Sequence, residues 1–325
     1  MSKLTDVKGV IFDYGGTIDT NSRHWAEVLW SKYEEFQVPV DKASFREAYV
    51  HGERTLARVP LVKPEYNFHD VLRTKTDIQV KFLVEQGKLD GEEACRENYA
   101  EKVADSCYRY VLDVLERTRP VVKALSERYK LVLVSNFYGN IQTILKDFGL
   151  FDFFADIIES SVVGVRKPDP AIYRLGVEAM GLPAENVLVV GDSFSKDVVP
   201  AKTVGCKVAW LKGEGWGNEE IDETLPDVII TDLPELLSYV YRRGTDEEKR
   251  NCPGGTPIPV PLCTDYVPLF SVGICSCHSG RAEQAFPGVA YHYPYPFSHD
   301  SGYDVHGIFH HGHSGRIVYQ PSRIP

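Results

Sequence analysis

No apolar run in these 325 residues approaches the roughly 20 residues that a bilayer-crossing helix needs, so no membrane partner is expected. The start, Met1-Ser2-Lys3-Leu4-Thr5-Asp6, does not read as a signal peptide, and a cytoplasmic location is expected. An excess of positive charge is missing too. The 36 Lys and Arg against 46 Asp and Glu leave a formal net charge of −10, which offers no footprint for a nucleic acid. The seven cysteines include no Cys-x-x-Cys pair. Cys95, Cys107 and Cys206 read as reduced thiols, and no disulfide is expected in residues 1–245. Lysine stops at Lys249, beyond which the chain changes character.

The most consequential absence is a single carboxylate. Val10-Ile11-Phe12-Asp13 is an apolar run that ends on an acid, and Tyr14-Gly15-Gly16-Thr17 follows. This reads as a buried strand breaking into a tight loop. The carboxylate then stands at the carboxyl end of a strand, where open α/β sheets place their sites. Two residues on, where a second acid would supply a proton donor, stands Gly15.

Three later segments deliver polar groups in the same way. Leu131 to Ser135 is an apolar strand ending in a hydroxyl, with Asn136 next. Arg166-Lys167-Pro168-Asp169-Pro170 puts a lysine just before a helix start. Val187 to Ser193 is a buried strand that ends at Gly191-Asp192-Ser193, with Asp197 five residues after Asp192. A carboxylate such as Asp13 can attack a phosphoryl group and form an aspartyl-phosphate. The transition state carries several negative charges, which Lys167 and a hard divalent cation can offset. Asp13, Asp192 and a backbone oxygen near Gly15 form an oxygen-only set that suits Mg2+. Ser135, or Thr17 with the loop amides, can donate to the transferring group, with Asn136 beside them, while Asp197 orients Lys167 or a metal-bound water.

Taken in order, these segments resemble the haloacid dehalogenase superfamily of aspartyl-nucleophile hydrolases, over about residues 5 to 243. Asp13 to Thr17 matches the first motif, Ser135 the second, Lys167 the third, and Gly191-Asp192-Ser193 through Asp197 the fourth. The resemblance implies a Rossmann-like parallel sheet, Mg2+, a covalent aspartyl intermediate and a mobile cap inserted after the first strand. Phosphatases of this family usually carry Asp where Gly15 stands, and that acid protonates the leaving group and then activates water. The haloacid dehalogenases proper lack the fourth-motif metal acid, so Asp192 disfavours dehalogenation. Phosphonoacetaldehyde hydrolases also lack the second acid and use a cap lysine as a Schiff base. Lys32, Lys63 and Lys75 are candidates for that role. His24, at the expected start of the first cap helix, is a candidate substitute proton donor. Arg23 beside it could grip a substrate anion.

The expected layout is a core of residues 1–20 and 119–245 with a helical cap at 21–118. Trp25 to Phe36 shows apolar spacing near the helical period, a second helix begins at Asp41, and two or three more follow between about 69 and 115. Strand and helix then alternate to Tyr241, which predicts a parallel sheet covered on both faces. A Mg2+-dependent hydrolase of a small phosphorylated metabolite is the function expected. The alternatives are a phosphonatase-like carbon–phosphorus hydrolase and a weakly catalytic phospho-ligand binding protein.

Residues 246–325 are predicted to be irregular. They hold seven of the ten histidines and four of the seven cysteines, with proline and glycine every few residues and no sustained period. Cys275-Ser276-Cys277-His278 and His310-His311-Gly312-His313 offer soft-metal ligands without a zinc-motif spacing. An interaction tail, or a non-native reading frame beginning near residue 250, would account for the same composition. A lysine-containing helical continuation in another frame of the gene would support the change of frame.

Overall fold

The computed structural model describes residues 4–213 and 221–240. The expectations for residues 246–325 therefore lie outside the described residues. The chain opens with β1 (Gly9–Phe12), passes through α1 (Trp25–Glu35), α2 (Lys42–Arg58), α3 (Phe68–Glu85), α4 (Gly91–Glu97) and α5 (Tyr99–Ser126), and re-enters the sheet at β2 (Lys130–Ser135). Then follow α6 (Ile141–Asp147), β3 (Asp156–Glu159), α7 (Ser160–Val163), α8 (Ala171–Met180), β4 (Val187–Gly191), α9 (Val199–Val204), β5 (Lys207–Leu211), β6 (Val228–Ile230) and α10 (Leu236–Val240).

The six strands form one parallel sheet in the order β3-β2-β1-β4-β5-β6, so the expected Rossmann-like α/β fold is what the chain adopts. The strands read as unbroken apolar runs because helices cover both faces. Side chains alternate across β1: Val10 and Phe12 join one apolar cluster, while Ile11 joins another with Val132, Val134 and Val189. The order reverses between β1 and β4, and such a switch point opens a crevice at the strands' carboxyl ends. Register sets what meets there. Phe12 pairs with both Leu133 and Val190, so Asp13 emerges one residue short of the levels of Ser135 and Asp192.

The helical insert between β1 and β2 is built from capped, amphipathic segments. Asp41, Asn67 and Asp90 cap α2, α3 and α4 with their side chains, and Asn67 with Asp70 completes a capping box. The boundary expected at residues 118 and 119 falls inside α5, a single helix of 28 residues. Pro120 removes one backbone donor, yet the helix continues. Burial on both sides of it holds the helix together, with Val111 and Leu115 before it and Val121, Val122 and Leu125 after it. No helix among the described residues is long and apolar enough to cross a membrane.

Candidate active site

Three strand ends and one loop converge on Asp13. Its backbone N–H donates to Val190 O at 2.9 Å, which extends the sheet pairing one step beyond β1 and fixes the carboxylate at the rim. Lys167 Nζ lies 2.7 Å from Asp13 Oδ1 and 2.7 Å from Asp197 Oδ1, and all three side chains are buried. Tyr173 donates its hydroxyl to the same Asp197 Oδ1 at 2.7 Å, and the Ser193 N–H donates to Oδ2 at 2.9 Å. Burial would lower the Lys167 pKa, but Asp13 and Asp197 override it and raise it above its ordinary value, which holds the ammonium charged. Burial likewise pushes the Asp13 carboxyl above its ordinary range, against the pull of Lys167.

Asp192 stands at the end of β4. Burial, then Asp197 and Asp13, push its pKa well up. Carboxylate oxygens of Asp13, Asp192 and Asp197 lie within 4.8 Å of one another. Asp197 already accepts three hydrogen bonds, from Lys167, Tyr173 and Ser193, so Asp13 and Asp192 are the carboxylates left for a cation. A buried and a half-buried carboxylate that resist ionisation side by side, with oxygen donors only, fit a hard divalent ion. Gly16 allows this approach. Its φ is +93°, and a β-carbon there would collide with the Asp192 carboxylate. Gly15 is the opposite case, with no atom within 4 Å of where its β-carbon would stand.

Asp13, Gly15, Ser135, Lys167, Asp192 and Asp197 line one cavity of about 790 Å³. Other expected site residues are placed differently. Thr17 is expected to touch substrate, but its hydroxyl donates to Asp192 Oδ1 at 3.2 Å and acts as a strut for that carboxylate. Asn136 does line the cavity, and its amide also clasps the backbone of Lys167, donating to the carbonyl at 3.0 Å and accepting from the N–H at 2.9 Å. His24 lines the cavity, yet it caps α1, with Nδ1 accepting from the Ala26 N–H at 3.1 Å. Burial, with Lys196 nearby, pulls its pKa down to about 4, so it is neutral at physiological pH and no source of a ready proton. Arg23 turns to the Glu27 carbonyl at 3.3 Å and to the Tyr110 ring.

Sequence reasoning missed Asp19. This fully buried carboxylate accepts from the Gly16 N–H at 2.7 Å and from Trp25 Nε1 at 2.9 Å, and so ties the loop after β1 to the insert. Burial pushes its pKa to about 7 against those two donors. An acid two residues after Thr17, next to buried Ile18, was the signal available. Of the three candidate lysines, Lys32, Lys63 and Lys75, only Lys75 lines the cavity. It pairs with Glu53 at 2.7 Å, and Glu53 also accepts from the Tyr138 hydroxyl at 3.2 Å. Burial would lower the Lys75 pKa, but Glu53 raises it well above its usual value. A Schiff-base nucleophile needs the neutral amine, so the pairing argues against that role.

The sequence model of the haloacid dehalogenase-like hydrolases matches residues 7–205, more than half of the chain. The protein belongs to this family. As a haloacid dehalogenase-like hydrolase it has named relatives. It is 30% identical over 193 residues to the 5-amino-6-(5-phospho-D-ribitylamino)uracil phosphatase YigB of Escherichia coli, covering 58% of this chain and 77% of that one. It is 33% identical over 152 residues to a phosphoglycolate phosphatase of Neisseria gonorrhoeae, covering 43% of this chain and 64% of that one. Among solved structures, the magnesium-bound hydrolase YfnB of Bacillus subtilis aligns over 71% of this chain and 97% of its own, at 21% identity and a TM-score of 0.45.

Proposed function

We propose that this hydrolase is a Mg2+-dependent phosphatase of small phosphorylated metabolites that works through Asp13. The observation that carries the reading is Lys167, buried and clamped 2.7 Å from both Asp13 and Asp197 at the mouth of the β1/β4 crevice. A buried ammonium beside a strand-end carboxylate is a fixed positive charge aimed where a transferring phosphoryl group builds negative charge. That the YigB and gonococcal relatives are named as phosphatases supports the same class.

In this reading a carboxylate oxygen of Asp13 attacks phosphorus while the bond to the leaving-group oxygen breaks. Ser135, almost fully buried at the end of β2, donates to a non-bridging oxygen, and Lys167 offsets a second. Water then attacks the aspartyl-phosphate, which releases inorganic phosphate and regenerates Asp13. Asp13, Asp192 and the Gly15 carbonyl would hold Mg2+, which supplies charge neutralisation when bound. Asp197 keeps Lys167 in place, and Tyr173 and Ser193 keep Asp197 in place. No side chain at position 15 protonates the leaving group or activates the water. Substrates that depart without help, such as acyl and aryl phosphates, should therefore react best.

The test is hydrolysis of a panel of alkyl phosphates, acyl phosphates and phosphonates with Mg2+, comparing the wild type with Asp13→Asn. Turnover that falls on the order of 10⁴-fold in the variant is expected, the scale lost with a covalent nucleophile. Turnover that is indifferent to Asp13→Asn, or no turnover of any compound, would overturn the reading.

A further inference from the structure

The charges along the cavity are arranged unevenly. In its interior the cations are matched: Lys167 by Asp13 and Asp197, and Lys75 by Glu53. The exposed lining is different. Among the described residues, every exposed charged residue that lines the cavity is cationic, namely Arg54, Arg58, Arg166 and Lys196. None of the four forms an ion pair with another described residue. They come from two walls. Arg54 and Arg58 stand one turn apart on α2 of the insert, Arg166 precedes Lys167, and Lys196 lies in the π-helical turn Phe194–Val198 after β4. The field of Lys196 reaches inward far enough to help depress both Glu53 and His24. Four cations that line one cavity without an ion-pair partner among the described residues are unexpected in a chain of net charge −10.

We propose that these four residues form a second anion subsite, so that the substrate carries a further carboxylate or phosphate besides the phosphoryl group that is transferred. The inference rests on the phosphatase reading. A cavity of about 790 Å³ is large enough to separate two anionic ends by the body of a small metabolite. Two guanidinium groups suit such an end, because their planar forks match the oxygens of either group. The Glu53–Lys75 pair, which lines the same cavity, carries no net charge and so adds no demand for a third charge on the substrate.

The test compares kcat/KM for matched compounds with Mg2+: glycerol phosphate against phosphoglycerate for the carboxylate, and a sugar monophosphate against its bisphosphate for the phosphate. The wild type is expected to prefer at least one doubly anionic partner by roughly 10-fold or more, the worth of one charge-assisted hydrogen bond. In Arg54→Gln/Arg58→Gln that ratio is expected to fall towards one. No preference in the wild type would overturn the proposal. So would a variant that slows both members of a pair equally, because that is long-range steering and no subsite. Calorimetric binding of the phosphonate analogues of glycerol phosphate and phosphoglycerate reads the subsite without turnover. Tighter binding of the doubly anionic analogue, lost in the variant, with no ester hydrolysed would sink the phosphatase reading and leave the subsite. Equal binding with esters hydrolysed would sink the subsite alone.

Discussion

The sheet rim and the insert wall enclose the same cavity but handle charge in opposite ways. At the rim, Lys167 is locked between two buried carboxylates, and one of these is held by Tyr173 and Ser193 in turn. On the insert, Glu53 remains about one-third exposed beside buried Lys75, and Arg54 and Arg58 stand in solvent without an ion-pair partner among the described residues. A reaction centre gains from groups that cannot move, because fixed dipoles and charges need no reorganisation in the transition state. A surface that selects among substrates can keep unmatched charge for the ligand to satisfy. On the proposed reading, the difference teaches that rigidity here follows the chemistry and openness follows recognition.

Substitutions at the rim should break this contrast most. Lys167→Met removes the fixed charge and leaves Asp13 and Asp197 buried without it. A loss of turnover of about 10²–10³-fold is expected, measured with the best substrate of the panel. Thermal unfolding should also report destabilisation on the order of 3–5 kcal/mol, the cost of orphaning a buried charge. Retained turnover would show that the clamp is structural.

Gly15→Asp sharpens the contrast from the other side. No atom lies within 4 Å of where its β-carbon would stand, so a side chain can start there without displacing a neighbour. A gain in alkyl phosphate hydrolysis of up to about 10²-fold is expected, within the usual worth of a general acid–base group. Unchanged or lower rates in a folded variant would mean that proton transfer does not limit this enzyme.

On the insert, Glu53→Gln leaves Lys75 buried and unmatched. A stability loss of about 1–3 kcal/mol is expected, discounted for the exposure of Glu53, with partial recovery in Glu53→Gln/Lys75→Met. Equal losses in the single and double variants would mean that the pair contributes packing alone.

The smallest effect expected concerns Asp19. Its folded pKa, about 7 against an ordinary 3.8, means that the native state holds this proton more tightly than the unfolded chain. Its stabilising contribution is therefore full below about pH 4 and is lost as pH rises through 7. Denaturant midpoints of the metal-free protein should fall between pH 5 and 8, with a shallower fall in Asp19→Asn. Identical slopes would remove Asp19 from the cause.

The same contrast explains what the sequence revealed. Strand ends were legible because an apolar run that stops on an acid or a hydroxyl has few structural readings. Asp13, Ser135 and Asp192 were found that way, and the two apolar runs that point to Ser135 and Asp192 form the strands Lys130–Ser135 and Val187–Gly191. Side-chain commitments were not legible. Thr17 turns to Asp192, Asn136 to the Lys167 backbone and His24 to its own helix. Each uses a polar group locally, and spacing alone does not distinguish a donor aimed at substrate from one spent on the loop. The insert wall was hidden for another reason. Arg54 and Arg58 on a helix read as ordinary solvated charges until the fold places them at the cavity. The boundary expected at residues 118 and 119 missed the continuity of α5, which burial on both sides of Pro120 sustains.

The measurement that bears most directly on the Asp13 and Gly15 reading is a rapid-mixing assay with an aryl phosphate and Mg2+. Without an acid at position 15, release of the aryl alcohol should outpace hydrolysis of the aspartyl-phosphate. A burst of about one equivalent per enzyme is expected, absent in Asp13→Asn and diminished in Gly15→Asp. Steady turnover with no burst, and no phosphoryl adduct on the acid-quenched protein, would contradict an aspartyl intermediate whose breakdown is slowed by the missing carboxylate.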